Sequence, residues 1–183
     1  DHPDQLREML VMKDSASLVD YLQAFDIPHQ VMQTDEALEQ IAFELCEDAA
    51  RENVWYMEVR FAPMHYRSNG LTLPQIVDSV LRGTQRARNQ YGIQTGLILC
   101  AMRQMPVEEA LQTARLVVEY KNRGVVGFDL AGKERDNPAK DHKEAFHLIL
   151  KNNINCTIHA GEAYGARSIS QAVHICGAHR LGH

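Results

Sequence analysis

A chain of 183 residues, 45% hydrophobic and 23% charged, has the make-up of an ordinary soluble protein and the length for one domain with a real core. Its formal charge of −5 provides no basic footprint for phosphates, which argues against a nucleic-acid partner. No apolar run approaches the roughly 20 residues of a membrane span, and the polar opening Asp1-His2-Pro3-Asp4-Gln5 does not read as a signal peptide.

Cys46, Cys100, Cys156 and Cys176 are scattered through apolar segments without C-x-x-C spacing, so reduced, buried thiols in a cytoplasmic protein are expected. Oligomeric state is left open, and a monomer is compatible with the sequence. The start without Met and the abrupt end at Leu181-Gly182-His183 suggest a fragment.

In chain order, Asp14-Ser15-Ala16-Ser17 offers caps for a helix with Leu18, Tyr21, Leu22 and Phe25 on one face. Pro28 predicts its end near Asp26. Thr34 caps the next helix, Asp35 and Glu36 suit its dipole, and Leu38, Ile41, Ala42, Leu45 and Ala49 form its stripe. A repeating beat follows. Val54–Phe61 reads as a strand stopped by Pro63, and Thr72-Leu73-Pro74-Gln75 as a capping box opening a helix that Gly92 ends. Thr95–Met102 is the second strand, and Pro106 opens a helix closed by Gly124. Val125–Leu130 is the third strand, and Pro138 starts a helix through Ala145, Phe146, Ile149 and Leu150. Asn155–Ile158 is the fourth strand, with Ser168, Ile169, Ala172, Val173 and Cys176 on the helix face behind it. Arg180–His183 is the fifth.

Strands alternating with helices at intervals of about 30 residues mean βαβ units and a parallel sheet. Neither G-x-G-x-x-G nor a P-loop occurs, so a nucleotide-binding doubly wound fold has no phosphate loop behind it. Polar residues gather at strand ends instead: Arg60, Met102-Arg103, Asp129, His159 with Glu162, and His183. That distribution predicts an α/β chain of the (β/α)8 barrel type, whose mouth collects side chains from several strands. Only about five strands can be counted, so residues 1–183 are expected to form a single, partial barrel domain, with roughly one strand before residue 1 and two after residue 183.

Thr157-Ile158-His159-Ala160-Gly161-Glu162 is the focus of that mouth. An imidazole able to ligate a metal and a carboxylate able to move a proton stand three residues apart at a strand-to-helix turn. Metal-assisted hydrolysis is one reading, with His183 on the neighbouring strand end to orient or deprotonate water. A hydrogen-bonded structural role for His159 is the other. Pairing with an arginine is the favoured role of Asp129, Glu58 and Arg60 are expected in buried pairs, and the remaining histidines are expected to be solvated.

Five blocks carry a family resemblance: Tyr56-Met57-Glu58-Val59-Arg60-Phe61-Ala62-Pro63, Leu99-Cys100-Ala101-Met102-Arg103, Asp129-Leu130-Ala131-Gly132, His159-Ala160-Gly161-Glu162 and Arg180-Leu181-Gly182-His183. In order and spacing they resemble the adenosine deaminases of the amidohydrolase superfamily, from about Ser17 to the end of the chain. The resemblance implies zinc-dependent hydrolytic deamination of adenosine and 2′-deoxyadenosine to inosine and 2′-deoxyinosine, with ammonia released. It implies one Zn2+, with His159 as a ligand, Glu162 protonating the purine ring nitrogen, and His183 holding and helping to deprotonate the attacking water. Gly132 would offer its backbone N–H to a purine nucleoside, Met102 would line the pocket, and Leu18, Tyr21, Leu22 and Phe25 would cover the base. The family's H-x-H zinc pair does not occur here and its adjacent aspartates would follow His183, so the other ligands are expected outside this stretch. Lys133 stands where the family usually has Asp. A deaminase of adenine or another aminopurine, and a non-catalytic barrel relative, are the alternatives.

Overall fold

A computed structural model describes residue 22 and residues 25–183. The chain runs α1 (Asp26–Val31), α2 (Asp35–Arg51), β1 (Tyr56–Phe61), a 3-10 turn (Pro63–Tyr66), α3 (Leu73–Tyr91), β2 (Gln94–Met102), α4 (Val107–Glu119) and β3 (Val125–Ala131). A second 3-10 turn (Ala139–His142), α5 (Lys143–Lys151), β4 (Asn155–His159), α6 (Ala166–His174) and β5 (Arg180–Gly182) complete it. The strands lie in the order β1-β2-β3-β4-β5, and every neighbouring pair is parallel. The sequential βα units therefore wind in one direction, as parallel strands joined by helical crossovers do.

The local signals act as expected. Thr34 Oγ1 accepts the Ala37 N–H at 3.2 Å. Thr72 and Gln75 close a capping box, satisfying N–H groups that the helix start leaves orphaned. Phe25 is a turn and a new helix, α1, begins at Asp26; Pro28 does not keep the residue before it out of helical geometry, because it stands in the first turn of α1. There the missing proline N–H costs no helical bond. The proposed caps Asp14–Ser17 and the residues Leu18 and Tyr21 lie outside the described residues.

One side of the sheet packs under the helices. Leu38, Ile76, Leu97, Leu99, Phe128, Leu130, Phe146 and Ile158 belong to a single buried core cluster, which supplies the main hydrophobic stabilisation. Along α2 the buried stripe is Leu38, Ala42, Phe43 and Cys46, whereas Leu45 is exposed. The period of 3.6 was legible there, but not which of two adjacent apolar columns turns inward. Because strand side chains alternate, the opposite face collects the polar residues. Glu58 pairs there with Arg180 at 2.7 Å, and so joins β1 to β5, the two ends of the sheet.

Candidate active site at the strand ends

β3 and β4 place Asp129 and His159 side by side. Asp129 is fully buried, and its carboxylate faces His159 Nδ1 at 3.0 and 3.3 Å. Arg60 Nε, from β1, approaches the same carboxylate at 3.4 Å, and the Cys100 thiol donates to it at 3.6 Å. Asp129 is thus paired with an arginine, as expected, and with an imidazole as well. Burial pushes the Cys100 thiol well up, with the Asp129 charge adding to it, so this sulfur is a neutral neighbour and not a nucleophile. With Nδ1 turned to the Asp129 carboxylate, His159 keeps Nε2 available, the arrangement that orients an imidazole for a metal.

His159 lines a cleft of about 550 Å³ together with Leu22, Phe25, Met102, His65 and Lys133. Four of the anticipated site residues therefore share one cavity. Glu162 and His183 are not in its lining. They meet each other at 3.8 Å, and the His183 ring lies 5.2 Å from that of His159. Gly132 stands between two cleft residues, Ala131 and Lys133, at φ +93°. That φ is one L side chains rarely adopt, which is why the bend takes glycine, and a Cβ there would also displace the Gln104 side chain, 2.2 Å from it. Gln104 in turn accepts the Lys133 N–H at 3.1 Å.

The turn after β4 is held by Glu134, which the sequence did not mark, and by Arg103. Glu134 is buried and accepts the N–H of Gly161 at 2.7 Å, of Ala163 at 2.5 Å and of Tyr164 at 2.9 Å. Burial alone would raise its carboxyl. The Ser168 side chain, the Ala163 and Gly161 amides and the Arg103 charge outweigh that and hold it below the usual carboxylate range. Arg103 is buried too, donating to the His159 and Asn137 carbonyls. Gly161 has φ +92°, as the sharp turn requires.

Several histidines are not solvated, contrary to expectation. His142 is buried, its Nε2 is 3.3 Å from the Arg103 carbonyl, and burial lowers its pKa. His29 and His65 stack with ring centroids 4.5 Å apart in the cleft wall. Burial lowers both, so near neutral pH the pair is uncharged. No sequence signal marks these placements, because each depends on a partner from a distant element.

The donor set fits part of a zinc site. His159 is one oriented imidazole, but among the described residues no group of three or more His, Cys, Asp or Glu side chains is placed to hold an ion. A catalytic zinc takes about three protein ligands and a water. Among those residues, no helix is long and apolar enough to cross a membrane. The four cysteines are free and buried, as predicted.

A family model described as adenosine deaminase matches residues 1–183. An adenosine deaminase of Clostridium kluyveri is 40% identical over 176 residues, which are 96% of this chain and 51% of that protein. Adenosine deaminase 1 of Streptomyces coelicolor is 45% identical over 175 residues, 93% of this chain and 44% of that protein. The chain thus spans about half the length of the curated relatives it matches. Among solved structures, an adenine deaminase of Arthrobacter aurescens superposes with a TM-score of 0.88 at 23% identity, over 100% of this chain and 56% of that one. A Burkholderia amidohydrolase with bound Zn gives 0.88 at 21%, over 100% and 50%. Arabidopsis ADAL, complexed with IMP, gives 0.86 at 28%, over 98% and 54%. The five parallel strands accordingly form a half-barrel, matching about half of the barrel fold of these structures.

Proposed function

The chain belongs to the adenosine deaminase family, and on that premise we propose that it carries half of a zinc-dependent enzyme converting adenosine and 2′-deoxyadenosine to inosine and 2′-deoxyinosine. Residues 1–183 would contribute to a single catalytic barrel. The observation that carries the reading is the strand-end row His159, Glu162 and His183, with Asp129 fixing the His159 ring.

In this reaction a water oxygen bonds to purine C6, the bond from C6 to the exocyclic nitrogen breaks, and ammonia leaves. Zinc supplies a Lewis acid that brings the attacking water into ionisable range near neutral pH. His159 would be one of its ligands, and the others would come from outside these residues. Glu162 would give a proton to the ring nitrogen as C6 is attacked, and its contact with His183 provides a partner for proton exchange. His183 would hold and deprotonate the water. The cleft suits the base: Met102, Leu22 and Phe25 offer apolar surface, and Gly132 would present its N–H to the purine. Leu18 and Tyr21 would extend that cover. The free, buried cysteines suit a cytoplasmic setting.

A second reading takes a nucleotide or a free base. One relative binds IMP and another is an adenine deaminase, and the cleft includes Arg60, Lys133 and the His29–His65 pair. That pair is uncharged near neutrality, Arg60 is paired with Asp129, and Asp26 also lines the cleft. The nucleoside is therefore the better fit. The decisive experiment is the ultraviolet loss at the adenosine band on the complete polypeptide carrying this sequence, with zinc content measured beside it. The expected result is inosine formation with about one zinc per chain. Turnover of AMP or adenine but not adenosine would select the second reading, and neither zinc nor turnover would leave a non-catalytic relative.

A further inference from the structure

We propose that Glu134 is the positioning residue of the reaction: it clamps the turn after β4 and thereby fixes where Glu162 is presented. This rests on the reading of Glu162 as the proton-transfer group. One carboxylate accepts three backbone N–H bonds, from Gly161, Ala163 and Tyr164, and Glu162 lies inside the segment so bound. Arg103 grips the same turn from its other end through the His159 carbonyl. It also fastens to the Asn137 carbonyl at 3.0 Å, and Asn137 donates to the Lys133 and Arg135 carbonyls at 3.0 Å each. The loop after β3 and the turn after β4 are thereby built as one unit, with both brackets buried.

The geometry gives Glu134 more to do than fill space. The Glu162 side chain is only a quarter exposed and meets His183 at 3.8 Å, and what orders its backbone is the clamp. Ala163 and Tyr164 immediately precede α6, whose N-cap Gly165 makes no side-chain cap bond. The Glu134 carboxylate therefore also supplies the negative charge that this helix start lacks. Removing the carboxylate would release three N–H groups at once and let Glu162 drift. A displacement of about 1 Å costs on the order of a hundredfold in rate.

The test uses the zinc-loaded complete polypeptide with Glu134→Ala and Glu134→Gln. Two quantities are read: kcat and KM for adenosine, and amide hydrogen exchange across residues 161–164. For Glu134→Ala, kcat should fall about 10- to 100-fold with KM within about threefold. Exchange at residues 161–164 should accelerate at least about tenfold while the β2 and β3 amides stay as protected as in the parent. Glu134→Gln keeps one accepting oxygen and should recover part of both effects. Unchanged exchange at residues 161–164 would overturn the clamp, and faster local exchange with unaltered kcat would overturn the positioning role. Exchange faster everywhere, with normal kcat for the folded fraction, would reduce Glu134 to a stability residue. If the parent fails to deaminate adenosine, the functional reading falls while the exchange arm still decides the clamp.

Discussion

The mouth of the sheet and the outer face where α2 meets α3 are both rich in charge, yet they are built on opposite terms. Between the helices, Arg82 pairs with Asp35 at 2.5 Å and with Glu39 at 2.9 Å, and Arg86 pairs with Glu39 at 2.7 Å. These groups remain accessible to solvent and share partners, and Glu39, Arg82 and Arg86 border a cleft of about 840 Å³. At the mouth, Asp129, His159, Arg103 and Glu134 are buried, and each holds particular groups. Solvent can replace a lost partner in the first region and not in the second. Cleft volume alone points to the helix face; desolvated polar groups with particular partners point to the mouth.

The sharpest break in that comparison is Glu162→Gln, which should lower adenosine turnover by about 10²–10⁴-fold, read as initial rates of ultraviolet loss, with zinc content unchanged. Asp129→Ala comes next. It strands His159 and Arg60 and should destabilise by about 3 kcal/mol in denaturant unfolding. Equilibrium dialysis should show zinc held about 10- to 100-fold more weakly.

Acid titration separates the regions by a smaller margin. The folded-state Glu134 carboxyl lies below its unfolded value, so the unfolded chain binds the proton more readily. Its contribution is complete above the unfolded carboxylate range and is lost as pH falls through the folded-state value. Unfolding followed against pH should therefore show a parent advantage over Glu134→Gln at neutral pH that shrinks in acid. Smallest of all, Arg86→Ala should cost less than about 1 kcal/mol, and added salt should erase most of that cost. A larger loss would mean that the α2–α3 ladder does more than solvate a face.

Much of the architecture was legible beforehand because its causes are local. The capping box at Thr72, the stop at Gly92 and the alternation of strand and helix patterns belong to single segments. Pro28 marked a boundary near Asp26 but not its nature: a proline breaks a helix interior and is tolerated in a first turn, and here it sits in the first turn of α1. The candidate site was legible in part. His159, Glu162, His183, Gly132 and Met102 stand in compact blocks that family resemblance picks out. Glu134 and His142 belong to no such pattern, and nothing around them announces burial.

By itself, the sequence determined five parallel strands with their helices, the end of the sheet where the polar groups gather, and the family. These follow from periodicity, capping and contiguous motifs, which act over a few residues. Only the tertiary structure decided that Asp129 turns to the His159 ring, that Glu58 reaches Arg180 across the sheet, and that Glu134 binds the turn carrying Glu162. Those pairs lie from 27 to 122 residues apart. A buried charge takes whichever partner the packed chain brings within hydrogen-bond distance, and that choice exists only once the strands are side by side.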